Sequence, residues 1–546
     1  MGVAIAVPIT TMSSSTSAHR ALRIPEILGQ IFEYSSRGDQ VISARVCQTW
    51  NNVAARLIWK QLPDALVLFH LLAPLRITED RRVAFTRPLT PQDWVRFDYY
   101  ANSVRELHQL EICAGPLHPD LIVEVLVTRR PSELLPRLRD LHLHPCTLDS
   151  ASLFLHSSIT SLSISQTEKF PLLGALLSSL PMKTPKLAKL SLQADVFHAP
   201  SAEVESLLAE TLSKLPSLTS LHLPPWWITP TIANTAASCP KLRELLSSFG
   251  PMDIAEWMTP DESGGFKSMM STSLPTDSFP SLNNLTIPMS FARARDVVSQ
   301  EGDYFHKLTR FHVTSPWFES PDVYRSMLAT LSARCPNLEA LFLGMAPVYA
   351  PADDFAAITF NDIKIVTRLS CLKHLYLHHP RPLHITTEDV VTIARALPSI
   401  TTLSLNPTPT TDEPSTLSVG VLSPLLAHCP NLDLLMLYMN TSEENIPPPP
   451  SDEESWRRVA RSAALANLRR LDIGNSSILS VISLAIFLSR ILPSSCSIGA
   501  SDSVADAWSD VLRLIPAFRQ VRAEGPWMRS GGPHPLLSVL LRVLGV

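Results

Sequence analysis

Glycine is scarce and charge is sparse: the 546 residues hold 17 glycines, and only 18% are Asp, Glu, Lys or Arg. Few glycines beside 47 prolines predict many short, stiff connections and few flexible linkers. No excess of positive charge exists. The formal net charge is −4 and the pI is near 6.5, so the electrostatic footprint of a nucleic-acid binder is missing and no nucleic-acid partner is expected. Long apolar runs are also wanting. Residues 478–492 (ILSVISLAIFLSRIL) contain Arg490 and fall short of the roughly 20 apolar residues that a spanning helix needs. A buried helix is expected there, and no membrane partner.

The eight cysteines, at 47, 113, 146, 239, 335, 371, 429 and 496, show no CxxC or Cys/His spacing suited to zinc. A chain of this length has no need of disulfide staples, so reduced thiols and a cytoplasmic or nuclear location are expected. No G-x-S-x-G, H-E-x-x-H, P-loop or dinucleotide fingerprint is present. We therefore expect no catalytic residue, no metal and no cofactor. The first 18 residues lack the basic region of a signal peptide. Met1-Gly2 does not make a myristoylation motif, because Ala6 stands where Ser or Thr is required. Residues 1–20 read as a flexible leader.

What is present is a repeat. From residue 104 a pattern of apolar-x-x-apolar-x-apolar recurs, beginning at Leu107/Leu110/Ile112 and continuing at Leu138/Leu141/Leu143, Ile159/Leu162/Ile164, Leu187/Leu190/Leu192 and Leu218/Leu221/Leu223. A degenerate copy at Leu242/Leu245 precedes Leu282/Leu285/Ile287, Leu308/Phe311/Val313, Leu338/Leu341/Leu343 and Leu372/Leu375/Leu377. Ile400/Leu403/Leu405, Leu432/Leu435/Leu437 and Leu468/Leu471/Ile473 follow, with a doubtful last copy at Phe518/Val521. The thirteen copies from 107 to 468 advance 361 residues in twelve steps, or about 30 per repeat.

Punctuation strengthens the pattern. The first apolar position is preceded by proline in LPRL (135–138), LPSL (215–218), CPKL (239–242), FPSL (279–282), CPNL (335–338), LPSI (397–400) and CPNL (429–432). Proline there ends a helix and is expected to preset extended backbone into a strand. The residue before it can tuck inward, which accounts for Cys239, Cys335 and Cys429 as core packers. Helical spacing fills the intervals at 202–215, 323–334, 390–397 and 421–429.

Strand, helix and proline turn in rotation predict an α/β solenoid with a parallel strand ladder on one side. This resembles the leucine-rich-repeat family. The family's Asn or Cys three places after the last apolar residue survives only as Cys146 and Asn440, so the arc should be irregular. Connections at 259–278, 406–416 and 441–454 read as mobile surface loops, the last one acidic.

Residues 21–62 break the repeat, reading ALRIPEILGQIFEYSSRGDQVISARVCQTWNNVAARLIWKQL. Pro25 suits the first position of a helix whose apolar face is Ile27, Leu28, Ile31 and Phe32. Gly38 and Asp39 are expected to break and cap a second helix carrying Val41, Ile42, Val46 and Cys47. A third, from about Trp50, carries Val53, Leu57 and Trp59.

The order Ile24-Pro25, Glu26-Ile27-Leu28, Ile31-Phe32, Val46-Cys47, Trp50, Ile58-Trp59 resembles the F-box. It departs in lacking the residue between Pro and Glu and in having Ile for the first Leu. The resemblance implies that Pro25, Ile27, Leu28, Ile31, Phe32 and Val46 face a Skp-type adaptor and, through it, a cullin. An F-box followed by leucine-rich repeats implies the substrate-recognition subunit of an SCF-type ubiquitin ligase. The other reading of these helices is a cap over the open first repeat of an interaction scaffold unconnected to ubiquitin.

The organisation expected is therefore a leader (1–20), an F-box bundle (21–62), a helical linker or cap (63–103), the solenoid (104–525) and a C-terminal cap (526–546). Between the two inward residues of each strand one residue points to solvent. That column runs Glu111, His142, Ser163, Ser191, His222, Thr286, His312, Phe342, Tyr376, Ser404, Met436, Asp472. Its members His312, Phe342, Tyr376 and Met436 are aromatic or apolar, as protein contacts tend to be, and are the candidate substrate-binding residues. His142, His222 and His312 lie three repeats apart, about 14 Å at the usual strand spacing, too far to share an ion. The pairs His142/His144 and His378-His379 are expected to be solvated.

Overall fold

The computed structural model describes residues 20–108, 117–129, 133–144, 151–165, 173–194, 200–247, 278–300, 305–345, 356–411, 413–448 and 467–523. Residues 1–19, the cap at 526–546, Leu110, Glu111, Ile112, Cys113, Cys146, residues 259–277 of the connection 259–278 and residues 449–454 of the connection 441–454 lie outside them. Internal contacts divide the chain into two units, Met1–Asp195 and Val196–Val546.

The first unit opens with helices α1 (Pro25–Glu33), α2 (Arg37–Ser43) and α3 (Gln48–Ile58). Pro25 occupies the first turn of α1, where its missing N–H has no intrahelical partner to lose. The start of α2 differs from expectation. Ser36 is the cap: its hydroxyl accepts from the Asp39 amide at 3.2 Å and donates to the Asp39 carboxylate at 2.7 Å. Gly38 and Asp39 thus lie inside the first turn, where the acid also suits the helix dipole. The helix ends at Ser43, so Val46 and Cys47 lie beyond it. Leu28, Phe32 and Ala54 form the bundle core, with Trp50, Val53 and Leu57 packed against them. The Phe32 and Trp50 rings meet edge to face at 5.3 Å, and Trp50 Nε1 donates to the Leu22 carbonyl at 3.0 Å.

Just beyond α3 comes β1 (Gln61–Leu62), then α4 (Leu66–Leu72), an antiparallel hairpin of β2 (Leu75–Ile77) and β3 (Val83–Phe85), and α5 (Asp93–Ala101). After β4 (Glu106–His108) and α6 (Pro119–Thr128) come β5 (Asp140–Leu143), β6 (Ser161–Ile164) and β7 (Lys189–Leu192). Strands β1, β4, β5, β6 and β7 pair in parallel in that order, placing Leu62, Leu107, Leu141, Leu162 and Leu190 in one buried column.

The second unit continues the pattern with β8 (Ser220–His222), β9 (Glu244–Leu246), β10 (Asn284–Pro288), β11 (Arg310–Ser315) and β12 (Ala340–Met345). Then follow β13 (His374–His378), β14 (Thr402–Leu405), β15 (Leu434–Leu437), β16 (Arg470–Asp472) and β17 (Ser497–Gly499). All ten pair in parallel and in sequence order, from Leu221 through Leu245, Leu285, Phe311, Leu341, Leu375, Leu403, Leu435 and Leu471 to Ile498. Helices Ala202–Ser213, Pro321–Arg334, Thr387–Ala396, Leu422–His428 and Val481–Ile491 fill the intervals. No helix among the described residues is long and apolar enough to cross a membrane. The architecture is a leucine-rich-repeat-like α/β solenoid.

Fifteen parallel strands are described where thirteen were expected. The additions, β1 and β17, carry one buried or half-buried apolar residue each, Leu62 and Ile498, instead of the full pattern. The first expected copy is out of step by three: Leu107 pairs with Leu141, so Val104 is its first apolar position. Phe518 and Val521 belong to a helix, Ala505–Ala523, and form no strand.

The prolines act by a different geometry from the one expected. The carbonyl of the residue before each proline accepts from the N–H of the first apolar residue, as in Leu135–Leu138 at 3.0 Å, Leu215–Leu218 at 3.2 Å and Cys429–Leu432 at 3.1 Å. That closes a β-turn with proline second, where its fixed φ belongs, and the backbone is not extended. Phe305–Leu308 and Leu369–Leu372 make the same turn at 3.0 Å without proline. Cys239, Cys335 and Cys429 are buried beneath these turns, and burial pushes the Cys429 thiol up to about 11.

The connection at 406–416 is tied down. Asn406 accepts from the His379 amide at 3.0 Å and donates to the Arg381 carbonyl at 2.7 Å. The Thr410 amide donates to the Pro380 carbonyl at 2.8 Å. Asn475 donates from its backbone to Pro407 and from its side chain to Pro409, both at 2.9 Å. Gly474 permits this approach. Its φ is +50°, and a Cβ there would stand 1.7 Å from the Pro407 carbonyl oxygen.

Candidate interaction surfaces

Two surfaces carry the expected residues, one in each unit. In the helical bundle burial divides them. Leu28 and Phe32 point toward α3 and are buried, so they cannot be presented to a partner. Resemblance identifies the positions but not which side of the helix each occupies. Pro25, at the helix start, and Ile31 are exposed, and Ile27 is half-buried; Ile27 and Ile31 flank the buried face.

Val46, in the turn after α2, is 59% exposed. Ile24, Tyr34, Val41 and Ile42 join this exposed set; Ile42 is 66% and Tyr34 95% accessible. The spacing Ile24, Ile27, Ile31, Tyr34 is helical and was legible as a second stripe. Six of the seventeen exposed large hydrophobics among the described residues fall between 24 and 46.

In the second unit the strand register sets His312, Phe342, Tyr376, Ser404, Met436 and Asp472 on successive rungs. His312, Phe342, Tyr376 and Met436 are all half-buried. The Phe342 ring is the centre, 3.9 Å from the His312 ring and 5.8 Å from Tyr376 between centroids. It stacks on His378 at 5.3 Å. Gly344 makes this possible, since a Cβ there would meet Phe342 Cε1 at 2.6 Å.

Burial, with His378 nearby, holds the His312 imidazole down at about 4, and burial also lowers His378. At neutral pH the cluster therefore offers ring faces without charge. Sequence reasoning took His378 to be solvated, whereas it is half-buried against Phe342, and it missed Gly344; the two sit two residues further along the same strands as Tyr376 and Phe342.

Several column residues differ from expectation. Ser404 is fully buried and its hydroxyl lies 3.3 Å from His378 Nε2. His379 is buried, not solvated. Its Nδ1 accepts from the Arg381 amide at 3.0 Å, and burial lowers the ring to about 4. His142 is half-buried and its partner on the next rung is His108, whose ring stacks on it at 4.2 Å. His108 therefore takes the column position assigned to Glu111. Among the described residues no group of three or more His, Cys, Asp or Glu could hold a metal ion.

The sequence matches no protein-family model and no curated protein. Solved structures similar to it include an internalin from Listeria monocytogenes, at 15% identity over 68% of this chain and 82% of that one, with a TM-score of 0.31. A structure of the Rad7 and Elc1 complex in yeast is 12% identical over 89% of this chain and 98% of that one, with a TM-score of 0.33. A TLR13–ssRNA13 complex is 14% identical over 74% of this chain and 51% of that one, with a TM-score of 0.34. At these scores none adds to what the strand register itself establishes.

Proposed function

We propose that this protein is the substrate-recognition subunit of an SCF-type ubiquitin ligase. The bundle docks a Skp-type adaptor and, through it, a cullin. The strands around Phe342 hold a protein substrate, and the chain supplies proximity while other subunits supply the chemistry. One observation carries this reading: large apolar side chains stand exposed on the F-box-like helices, while that bundle keeps a closed core of its own. Exposed apolar patches mark interaction sites.

A second reading has its own support. The chain passes from α3 almost directly into β1, the first rung of the ladder, as a helical cap on an interaction scaffold would. Co-purification of the full chain with the adaptor and cullin separates the two. Ile31→Glu with Val46→Glu leaves Leu28 and Phe32 in place, so the bundle stays folded while adaptor capture drops by at least about tenfold. Equal capture by this variant and the wild type removes the docking face. No capture by the wild type leaves the scaffold.

A further inference from the structure

A cleft of about 800 Å³ in the first unit is lined by residues of α1, α3 and α5 and by the turns that lead into the strands. Four cations face it: Arg56, Lys60, Arg105 and Arg137. Glu33 is the one carboxylate among its lining residues. Arg139 stands on the rung beside Arg105, because its amide donates to the Arg105 carbonyl at 2.8 Å. The Arg105 amide donates in turn to the Lys60 carbonyl at 2.8 Å. Three cationic side chains thus leave successive rungs of one ladder position, about 4.8 Å apart.

The same position in the second unit holds Arg243 on an early rung and opposite charges further along. There Glu339 and Lys373 stand on neighbouring rungs and pair at 3.0 Å, and Asp433 and Arg469 pair at 3.2 Å. Among the described residues none of Arg56, Lys60, Arg105, Arg137 and Arg139 makes an ion pair. The nearby Glu106 is engaged elsewhere, accepting from Gln61 at 2.6 Å and lying 3.8 Å from His108. Arg105 is half-buried, and both its hydrogen bonds go to the carbonyls of Asn102 and Val104. Burial, with Arg137 and Arg139 adding to it, holds its guanidinium below the usual range. Like charge accumulates here, with Glu33 the one carboxylate among the lining residues.

We propose that this cleft binds a small, multiply phosphorylated ligand. Guanidinium forks match phosphate oxygens two at a time, and several cations around one cleft suit several phosphates. The volume is that of a small-molecule site. Asn52, Asn102 and Tyr99 line it as neutral hydrogen-bonding groups. The proposal does not depend on the ubiquitin reading. It makes the ligand a clamp, because Arg56 belongs to α3 while Arg105 and Arg137 belong to the first turns of the ladder.

The test is calorimetric titration of the full chain with inorganic tripolyphosphate at about 0.15 M salt. We expect saturable binding of one ligand per chain and a thermal midpoint that rises with ligand concentration. Arg56→Gln with Arg137→Gln weakens binding at least about tenfold. Glu33→Gln, which removes the one carboxylate, tightens it several-fold and keeps the test decisive should the double variant fail to fold. Arg243→Gln in the second unit leaves it unchanged. The proposal is overturned by non-saturating uptake, by unchanged affinity in a folded double variant, by no gain from Glu33→Gln, or by preference for a single-stranded RNA oligomer over tripolyphosphate.

Discussion

Each of the two units is built on the same kind of backbone ladder, and each puts it to a different use at the surface. In the first, the position after the turn holds Lys60, Arg105 and Arg139 on three successive rungs before Thr160 and Ala188 follow, and the strands are two to four residues long. In the second, that position holds Arg243, uncharged residues and the pairs Glu339–Lys373 and Asp433–Arg469, β11 and β12 reach six residues, and the outward column carries His312, Phe342 and Tyr376. The repeat fixes where a side chain will stand and which neighbours it meets. It leaves the chemistry of the outward positions open, so two stretches built on the same repeat can carry a row of cations in one and an uncharged aromatic cluster in the other.

The core beneath is where the units should prove equal. Leu341→Ala removes a fully buried rung residue and should destabilise the second unit by about 3 kcal/mol, with Leu141→Ala doing the same in the first. Chemical denaturation checks both; a loss under about 1 kcal/mol in either would show that its ladder is not a packed core.

Acid should separate the aromatic cluster next. His312 titrates near 4 when folded against about 6.5 unfolded. The folded state therefore binds fewer protons between these values. The stability this contributes is present above about pH 6.5 and is lost as pH falls toward 4. His379, also near 4, adds to the same decline. His312→Gln should flatten the fall in denaturation midpoint across that window, and an unchanged profile would remove His312 as its source.

The smallest effect belongs to the exposed pairs. Lys373→Gln, which breaks the pair to Glu339, should change stability by under about 1 kcal/mol. A larger loss on denaturation would mean that charge pairing on the second unit's edge is structural and not merely compensatory.

Much of this fold is legible in the sequence, because burying two leucines per strand and turning with proline leave period and punctuation together. Cys335 and Cys429 could be placed in the core from their position before proline alone. The ends of the ladder were hidden, since β1 and β17 have one inward apolar residue each and no leucine pair to announce them. Val104 was passed over because Leu107, Leu110 and Ile112 satisfy the same pattern three residues later. On the surfaces, the family resemblance named Leu28 and Phe32 as readily as Ile31 and Val46, although the first two are core. The ring cluster was half legible. Phe342 and Tyr376 follow from strand alternation, but His378 joins them only because Gly344 lets the phenyl ring lie along the strand. The basic cleft had no signature, since its cations lie at 56, 60, 105 and 137 and converge only once the turns are stacked.

The tether from Asn475 to Pro407 and Pro409 skips a rung: it joins the chain after β16 to the chain after β14, with β15 between them. A solenoid whose repeats touch only adjacent repeats peels from its end one unit at a time. Here the strap, made possible by the glycine at 474, staples three consecutive repeats into a block. That stretch should therefore open in hydrogen exchange as a single cooperative unit and resist end-fraying.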